Sequence, residues 1–335
     1  MSLHSEQWIL ARTPHGLPHP DDFARAAVTL SDPEEGEVLI GNRFLSVDSG
    51  VRDRLSRDSY APRTEPGEVI DGFAVGEVLQ SKNPRFQVGD LISSGTGWRR
   101  HFISNGKGLL HLDPAIFSSP ITESAAIGVL GVSGLTAYFG LTRVARVWPG
   151  ETILVSSAAG TVGATAGQIA RINGCRVVGI AGGDARCRYV RNDLGFDACI
   201  DRHDPDLARA INDTCLDGVD VYFDNVGGEL LDTALLAMNP KGRVVVAGQV
   251  SEYNLEEPRG VRNIREVVER RLRLEGYVVW DFLADFRPAM EELAEWIREE
   301  KLRYHENIVH GFENAAEAFC RLFVSAGLGR SVIRI

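Results

Sequence analysis

The sequence predicts an α/β protein with two domains: a small, mostly antiparallel β-barrel and a parallel sheet with helices on both faces. The chain has 335 residues, about twice the ~150 residues typical of one domain. Its first third contains short β-like runs separated by turn residues. After residue 150, apolar runs alternate strictly with helical segments, as in parallel sheets that are buried on both faces.

The first domain is predicted from β-like runs and from a change in character near Ser119 and Pro120. A stretch of small residues with helical character follows, passing through Gly131, Gly134 and Ala137. The predicted strands of this part are residues 7–11, 37–40, 67–70 and 72–78.

The second domain is predicted from its alternating segments. Its strands are predicted over 151–156, 176–181, 198–201, 220–225 and 243–248, and its helices over 162–173, 185–194, 207–214 and 230–238. An amphipathic helix over 288–302 carries Met290, Leu293 and Ile297 on one face. A strand over 306–309, a helix over 312–325 and a strand over 331–335 follow.

Charge and hydropathy exclude several classes of function. The net charge of −10 repels phosphate backbones and anionic membranes, so we expect no nucleic-acid partner. No apolar run approaches the ~20 residues of a transmembrane helix, and residues 1–20 lack the pattern of a secretory signal. We therefore expect a cytoplasmic protein. The five cysteines match no disulfide or CxxC spacing and predict free, buried thiols.

Residues 157–163 form the central motif, a turn of small residues between a predicted strand and a predicted helix. Against the GxGxxG pattern, Ala158 replaces the first glycine, while Gly160 and Gly163 occupy the second and third places. Gly160 would let the backbone approach a pyrophosphate, and the helix N-terminus supplies free N–H groups for the anion. The sequence therefore predicts a dinucleotide site.

The second strand of this unit indicates which dinucleotide is bound. An NAD site usually places an acid at the end of that strand, but residues 178–183 contain none, and the first acid is Asp184. Two cations follow, Arg186 and Arg202, and either would reach a 2′-phosphate. We expect NADPH.

A zinc site is not predicted. No cysteine precedes Cys175, and no histidine shows a ligand spacing, so neither familiar zinc constellation of a dehydrogenase is possible in its usual form. Neither a GxSxG elbow nor a Walker-type loop occurs. Hydride transfer without a metal is the chemistry that remains.

Several longer segments, in order along the chain, carry a family resemblance. They are residues 45–48 (Leu-Ser-Val-Asp), 131–141 (Gly-Val-Ser-Gly-Leu-Thr-Ala-Tyr-Phe-Gly-Leu), 159–163 (Ala-Gly-Thr-Val-Gly), 222–228 (Tyr-Phe-Asp-Asn-Val-Gly-Gly), 248–254 (Gly-Gln-Val-Ser-Glu-Tyr-Asn) and 311–314 (Gly-Phe-Glu-Asn). Through them the chain resembles the zinc-independent medium-chain reductases that act on prostaglandins, leukotriene B4, alkenals and curcumin.

The resemblance implies a GroES-like substrate domain of residues 1–122 and 303–335, and a Rossmann NADPH-binding domain of residues 123–302. It also implies a homodimer. The residues expected to line the cofactor are Gly160, Thr161, Val162, Gly163, Arg186, Arg202, Asn225, Gly248, Val250, Ser251, Tyr253, Tyr277, Val278 and Val279.

The implied reaction is hydride delivery to the β-carbon of an α,β-unsaturated ketone or aldehyde. Charge then develops on the carbonyl oxygen, and Tyr253 matches the residue whose hydroxyl stabilises the enolate. Two alternatives stay open: an NADPH:quinone oxidoreductase, and a non-catalytic NADPH-binding relative. A zinc alcohol dehydrogenase is a more distant third.

The chain departs from the family pattern at several positions. Ser49 and Gly50 stand where the family usually has proline and tyrosine, and Trp280 stands where many members have another tyrosine. Arg186 replaces a usual lysine and Arg202 a usual tyrosine near the 2′-phosphate. We therefore expect a substrate pocket of different shape and a more cationic phosphate pocket.

Overall fold

The computed structural model describes residues 2–325 and 327–335, and within them the chain forms two compact units. The first unit comprises the residues up to Ile127 together with those from Glu306 onwards. The second unit is Gly128–His305. The predicted boundaries, 122/123 and 302/303, lie within five residues of these limits.

The strands are numbered along the chain. They are β1 (Leu3–Leu10), β2 (Phe23–Leu30), β3 (Val38–Ser46), β4 (Ala74–Ser81), β5 (Leu91–Ser94), β6 (His101–Ser104), β7 (Leu110–His111), β8 (Thr152–Ser156), β9 (Arg176–Ala181), β10 (Ala198–Asp201), β11 (Val219–Asp224), β12 (Met238–Val246), β13 (Arg273–Gly276), β14 (Glu306–His310) and β15 (Arg330–Arg334).

The α-helices are α1 (Val51–Arg54), α2 (Val132–Phe139), α3 (Thr161–Ile172), α4 (Asp184–Asn192), α5 (Leu207–Thr214), α6 (Gly228–Leu235), α7 (Arg265–Glu269), α8 (Phe286–Arg298) and α9 (Ala315–Ser325). Short 3₁₀ segments cover Pro20–Asp22, Glu123–Ile127, Val279–Asp285 and Phe312–Asn314, and a π-helical turn covers Gly140–Ala145.

The first unit is built from both ends of the chain. Its larger sheet has the order β14-β15-β3-β4-β5-β7, with β6 also paired to β3. Every pairing in this sheet is antiparallel except the parallel pair β14–β15. The fully buried Trp98 donates its indole N–H to the Ser46 carbonyl at 3.0 Å, and Phe312 and Phe319 share its apolar cluster. Because residues from both ends fill one core, neither end can complete it alone.

The second unit is a sheet of six parallel strands in the order β10-β9-β8-β11-β12-β13. The chain first adds strands outward from β8 in one direction and then from β11 in the other. The connections after β8 and β11 therefore diverge, and this switch point is where doubly wound sheets bind ligands. β8 is buried along its whole length, as a strand covered on both faces must be.

The predicted fold class is confirmed, and so are most elements of the second unit. β9, β10 and α5 have the predicted limits. The strand predicted over 67–70 is wrong: these residues form no strand, although a single bridge joins Val69 to Ile9 and backbone hydrogen bonds connect the segment to Trp8 and Leu10. The sequence did not predict α7 or the edge strand β13, whose Arg273 and Glu275 give it little apolar character.

The structure also bears on the predictions made for the cysteines and for membrane-spanning helices. All five cysteines are free thiols, four of them buried and Cys199 partly exposed. Within residues 2–325 and 327–335, no helix combines the length and apolarity needed to cross a bilayer.

Candidate active site

The turn between β8 and α3 has the geometry of an anion cradle. Gly160 occupies the N-cap of α3 in an extended conformation, and no side chain caps the helix there. The first N–H groups of the helix therefore have no intrahelical or side-chain partner, and the helix dipole favours a negative charge beside them. A Cβ built on Gly163 would lie 2.4 Å from the Ser157 carbonyl oxygen, so only glycine permits this close approach of helix and turn.

The residues present fit a dinucleotide pyrophosphate. Gly160, Thr161 and Val162 are partly exposed at the mouth of the turn, whereas Gly163 is buried against it. Backbone N–H groups at a helix N-terminus beside a glycine are what phosphate oxygens require.

Both predicted cations lie beside the end of β9. A Cβ built on Gly182 would be 2.8 Å from Arg202 Nε and 3.1 Å from Arg186 Nη1. Arg186 also donates from Nη1 to the Gly182 carbonyl at 3.1 Å. The acid nearest in sequence, Asp184, forms an ion pair with Arg188 one helical turn away. The end of the second strand thus presents two guanidinium groups, which is the environment that a 2′-phosphate needs.

The loops after β8, β11 and β12 are joined by hydrogen bonds at one edge of the sheet. Asn225 donates its backbone N–H to Ser156 Oγ and its side-chain amide to the Ser156 carbonyl, both at 2.8 Å. Val250 donates its N–H to the Asn225 carbonyl at 3.3 Å. Ser251 donates from Oγ to the Val226 carbonyl at 2.6 Å. The structure therefore brings together Asn225, Val250 and Ser251, and their role in cofactor binding stays a prediction.

Asp224 organises this edge, and the sequence reasoning gave it no role. Its fully buried carboxylate accepts at Oδ1 from the N–H groups of Val226 and Gly227, each at 3.0 Å, and from the Tyr222 hydroxyl at 2.9 Å. Burial raises the pKa of Asp224, and these hydrogen bonds oppose the rise only in part. The available signals were its place at the end of an apolar strand and its presence in the 222–228 segment that carries the family resemblance.

Tyr253 lies in the segment that follows β12. Its hydroxyl oxygen accepts the Gln249 N–H at 3.3 Å, and a Cβ built on Gly248 would be 3.4 Å from the same oxygen. Accepting that amide uses an oxygen lone pair rather than the hydroxyl hydrogen. Glu252, next to Tyr253, is buried and accepts the Arg259 N–H at 3.0 Å, which ties down the chain beyond the tyrosine.

Tyr277, Val278 and Val279 follow β13 at the same edge of the sheet. The Tyr277 hydroxyl donates to the Thr136 carbonyl in α2, and burial raises the pKa of this hydroxyl. Val279 is buried, and Val278 donates its N–H to Asp281 Oδ2 at 3.4 Å. A cofactor role for these three residues stays a prediction, and for Tyr277 it would involve the ring or backbone rather than the hydroxyl.

Two departures from the family pattern change local space. A Cβ built on Gly50 would meet no atom within 4 Å. The absence of the tyrosine that the family usually has at this position therefore leaves open volume. Trp280 is 42 % exposed, with its ring centroid 5.7 Å from that of Phe286. No group of three or more histidine, cysteine, aspartate or glutamate side chains within residues 2–325 and 327–335 is arranged to hold a metal ion.

Comparisons with known proteins identify the family of the chain. A family model described as the N-terminal domain of oxidoreductase matches residues 6–112, and one described as zinc-binding dehydrogenase matches residues 161–295. The chain is 38 % identical to the NADPH-dependent curcumin reductase of Escherichia coli, over 99 % of this chain and 97 % of that protein. It is 37 % identical to prostaglandin reductase 1 of Rattus norvegicus, over 99 % of each chain. The chain belongs to the prostaglandin and curcumin reductase family.

Other members of the prostaglandin and curcumin reductase family extend the comparison. The 2-alkenal reductase (NADP⁺-dependent) of Nicotiana tabacum is 36 % identical over 99 % of this chain and 98 % of its own. The structure of CurA in complex with NADPH from Vibrio vulnificus superposes with a TM-score of 0.92 at 33 % identity, covering 98 % of both chains. The predicted resemblance and the pairing of GroES-like and Rossmann folds are confirmed.

Proposed function

We propose that this protein is an NADPH-dependent reductase of activated carbon–carbon double bonds in α,β-unsaturated ketones and aldehydes. Full-length similarity to curcumin, prostaglandin and 2-alkenal reductases supports the reaction class. The observation that carries the cofactor is the uncapped N-terminus of α3 behind Gly160, with Arg186 and Arg202 beside Gly182. Bound NADPH supplies the hydride that reduces the β-carbon.

The residues of this chain would then bind, orient and stabilise charge. The turn at 157–163 would hold the pyrophosphate, and the Asn225 and 248–253 segments would hold the nicotinamide half. Tyr253 would donate its hydroxyl hydrogen to the carbonyl oxygen on which enolate charge develops. This bond is stronger in the transition state than in the ground state, so it accelerates the reaction rather than merely binding substrate.

The test is turnover of a panel of enals, enones, quinones and simple ketones, followed by the absorbance of NADPH, with NADH run in parallel. Enone turnover with a saturated ketone as product supports the proposal. Turnover of quinones alone supports the quinone oxidoreductase, and NADPH binding without turnover supports the non-catalytic relative.

Tyr253→Phe tests the tyrosine separately. Loss of one preorganised donor to an oxyanion costs about 3–4 kcal/mol, so kcat should fall by roughly 10²–10³ with the NADPH Kd unchanged. Tyr189→Phe, a tyrosine on α4 of the second unit, is the matched control. Unchanged turnover of every enone by the Tyr253→Phe variant would remove Tyr253 from the oxyanion role.

We also propose that the protein is a homodimer. β13 ends the strand order of the parallel sheet, and Ile264 and Val268, at the helix α7 that precedes it, are 56 % and 77 % exposed. The unpaired backbone groups of an edge strand and nearby exposed apolar side chains both favour association with a second copy of the chain. Light scattering should give about twice the 36.7 kDa chain mass, and a monomer at micromolar concentration would contradict the proposal.

Domain roles and location complete the proposal. Residues 1–122 with 303–335 would bind substrate, and residues 123–302 would bind NADPH. A cytoplasmic location fits the five free thiols, since reducing compartments keep cysteines unpaired. Fractionation of cells that express the tagged protein tests the location, and recovery outside the soluble cytoplasmic fraction would contradict it.

A further inference from the structure

The turn after β10 contains a chain of close polar contacts that ends on Arg202. Arg202 Nε lies 3.2 Å from His203 Nε2, and His203 Nδ1 lies 3.0 Å from Asp201 Oδ1. The same carboxylate oxygen accepts the N–H groups of Gly183 at 2.8 Å and of His203 at 3.1 Å. Three consecutive residues thus link the end of β10 to the loop that follows β9.

The direction of the hydrogen bond between Arg202 and His203 follows from its donor. The Nε of an arginine always carries hydrogen, so His203 must accept at Nε2 and carry its own hydrogen on Nδ1. Nδ1 lies 3.0 Å from Asp201 Oδ1, so the imidazole and the carboxylate attract each other. Backbone N–H donors, first that of Gly183 and then that of His203, lower the pKa of Asp201, which keeps the acceptor ionised. An ionised, doubly anchored carboxylate is a fixed point for the imidazole.

The far end of this chain is the place where a 2′-phosphate would be recognised. Arg202 Nε lies against Gly182, 2.8 Å from a Cβ built there, and Arg186 approaches the same residue from α4. Gly182 directly follows β9, the strand whose carboxyl end faces the ribose in dinucleotide-binding sheets. Arg202 itself is exposed, so its long side chain would sample many rotamers without a partner.

We propose that Asp201 and His203 are positioning residues that hold Arg202 ready for the 2′-phosphate and thereby set the preference for NADPH over NADH. This inference rests on the proposed binding of NADPH at the same site. Holding an arginine in its binding geometry removes part of the entropy cost that ligand binding would otherwise incur. Asp201 is an acid at a strand end near the ribose, yet in this structure it serves the cation rather than the sugar hydroxyls.

The experiment is a double-mutant cycle on Arg202 and His203, measured by calorimetric titration with 2′,5′-ADP and with 5′-ADP. His203→Ala should weaken 2′,5′-ADP binding by about 3- to 10-fold and leave 5′-ADP binding unchanged. Arg202→Ala should cost more, and adding His203→Ala to it should cost little further, because His203 acts through Arg202. His310→Ala, an exposed histidine in the first unit, is the matched control and should change neither affinity.

Each other outcome has a defined meaning. Additive losses in the double mutant would overturn the inference, because His203 would then act independently of Arg202. Equal losses for the two nucleotides would overturn it as a general structural effect, and His203→Gln, which keeps side-chain size, repeats the test if the alanine variant unfolds early. If Arg202→Ala leaves 2′,5′-ADP binding unchanged, the proposed placement of the phosphate itself fails. If Arg202→Ala weakens binding and His203→Ala does not, only the positioning role fails.

Discussion

The turn between β8 and α3 should allow stability and cofactor binding to be separated by two alanine substitutions. A Cβ on Gly163 would lie 2.4 Å from the Ser157 carbonyl oxygen and 3.0 Å from Ala158 Cα, both of them backbone atoms. A Cβ on Gly160 would meet the Ser157 hydroxyl oxygen at 3.2 Å and its carbonyl oxygen at 3.3 Å. Gly160 also has extended dihedral angles, φ −84° and ψ 165°, which alanine adopts without strain.

These distances give the expected magnitudes. In Gly163→Ala the helix must move by about 1 Å to restore ordinary contact, and overpacking of this kind costs about 1–3 kcal/mol. The better helix propensity of alanine returns at most about 1 kcal/mol. The net loss of roughly 1–2 kcal/mol should lower Tm by about 2–8 °C. In Gly160→Ala the change should stay within about 0.5 kcal/mol, so Tm hardly moves.

Cofactor affinity should show the opposite order. The methyl group of Gly160→Ala stands where the pyrophosphate must approach, so the NADPH Kd should rise about tenfold or more, a loss of about 1.4 kcal/mol. Scanning calorimetry of the cofactor-free variants and calorimetric titration with NADPH measure the two quantities. An unchanged NADPH Kd in Gly160→Ala would refute the placement of the pyrophosphate. An unchanged Tm in Gly163→Ala would refute the packing argument.

Two further predictions concern the second unit. Arg243 donates from Nη1 and Nη2 to the two carboxylate oxygens of Glu151 at 2.6 and 2.8 Å. Glu151→Gln should therefore lower the free energy of unfolding, measured by urea titration, by about 2–3 kcal/mol. A loss below about 0.5 kcal/mol would contradict this. Burial raises the pKa of Glu151, but the hydrogen bonds from Arg243 and a backbone amide outweigh burial, so the pKa in the folded state is lowered. The resulting stabilisation should be present above the pKa of the unfolded state and disappear as the pH falls through the pKa of the folded state. Unfolding titrations across this pH range should show that Glu151→Gln loses less stability on acidification than the unaltered protein. Tyr277→Phe removes the hydroxyl that donates to the Thr136 carbonyl, so we expect the free energy of unfolding to fall by about 1–3 kcal/mol with an unchanged NADPH Kd. A large rise in the NADPH Kd would mean that the hydroxyl binds the cofactor.

Much of the second unit could be predicted because its signals are local. The runs at 176–181 and 198–201 are mostly apolar and bounded by turn residues, and these two signals together predicted their limits. The turn at Gly160 and Gly163 was recognisable because the close backbone approach there requires glycine, and the spacing of these glycines forms a known sequence pattern.

The features that the sequence did not predict depend on contacts between distant elements. The run at 67–70 looks like a strand, but its hydrogen bonds to β1 form only a single bridge and no regular ladder. The direction of the Tyr277 hydroxyl is decided by the position of α2, about 140 residues earlier in the chain. The roles of Asp201 and Asp224 depend on which backbone N–H groups the neighbouring loops present, and a single sequence contains no pattern for that.

The division of the first unit between the two ends of the chain has a consequence for synthesis. β3 obtains its neighbour β15 only after the ribosome has made the whole of Gly128–His305, which takes roughly 10–40 s at ~5–20 residues per second. During that interval the parallel sheet can fold, while the cluster around Trp98 waits for Phe312 and Phe319. The first unit of the nascent chain therefore has an incomplete sheet edge and an open apolar core at a time when the second unit can already fold. We therefore expect the first unit to be the part that needs chaperones during synthesis, and the part through which prematurely terminated chains aggregate.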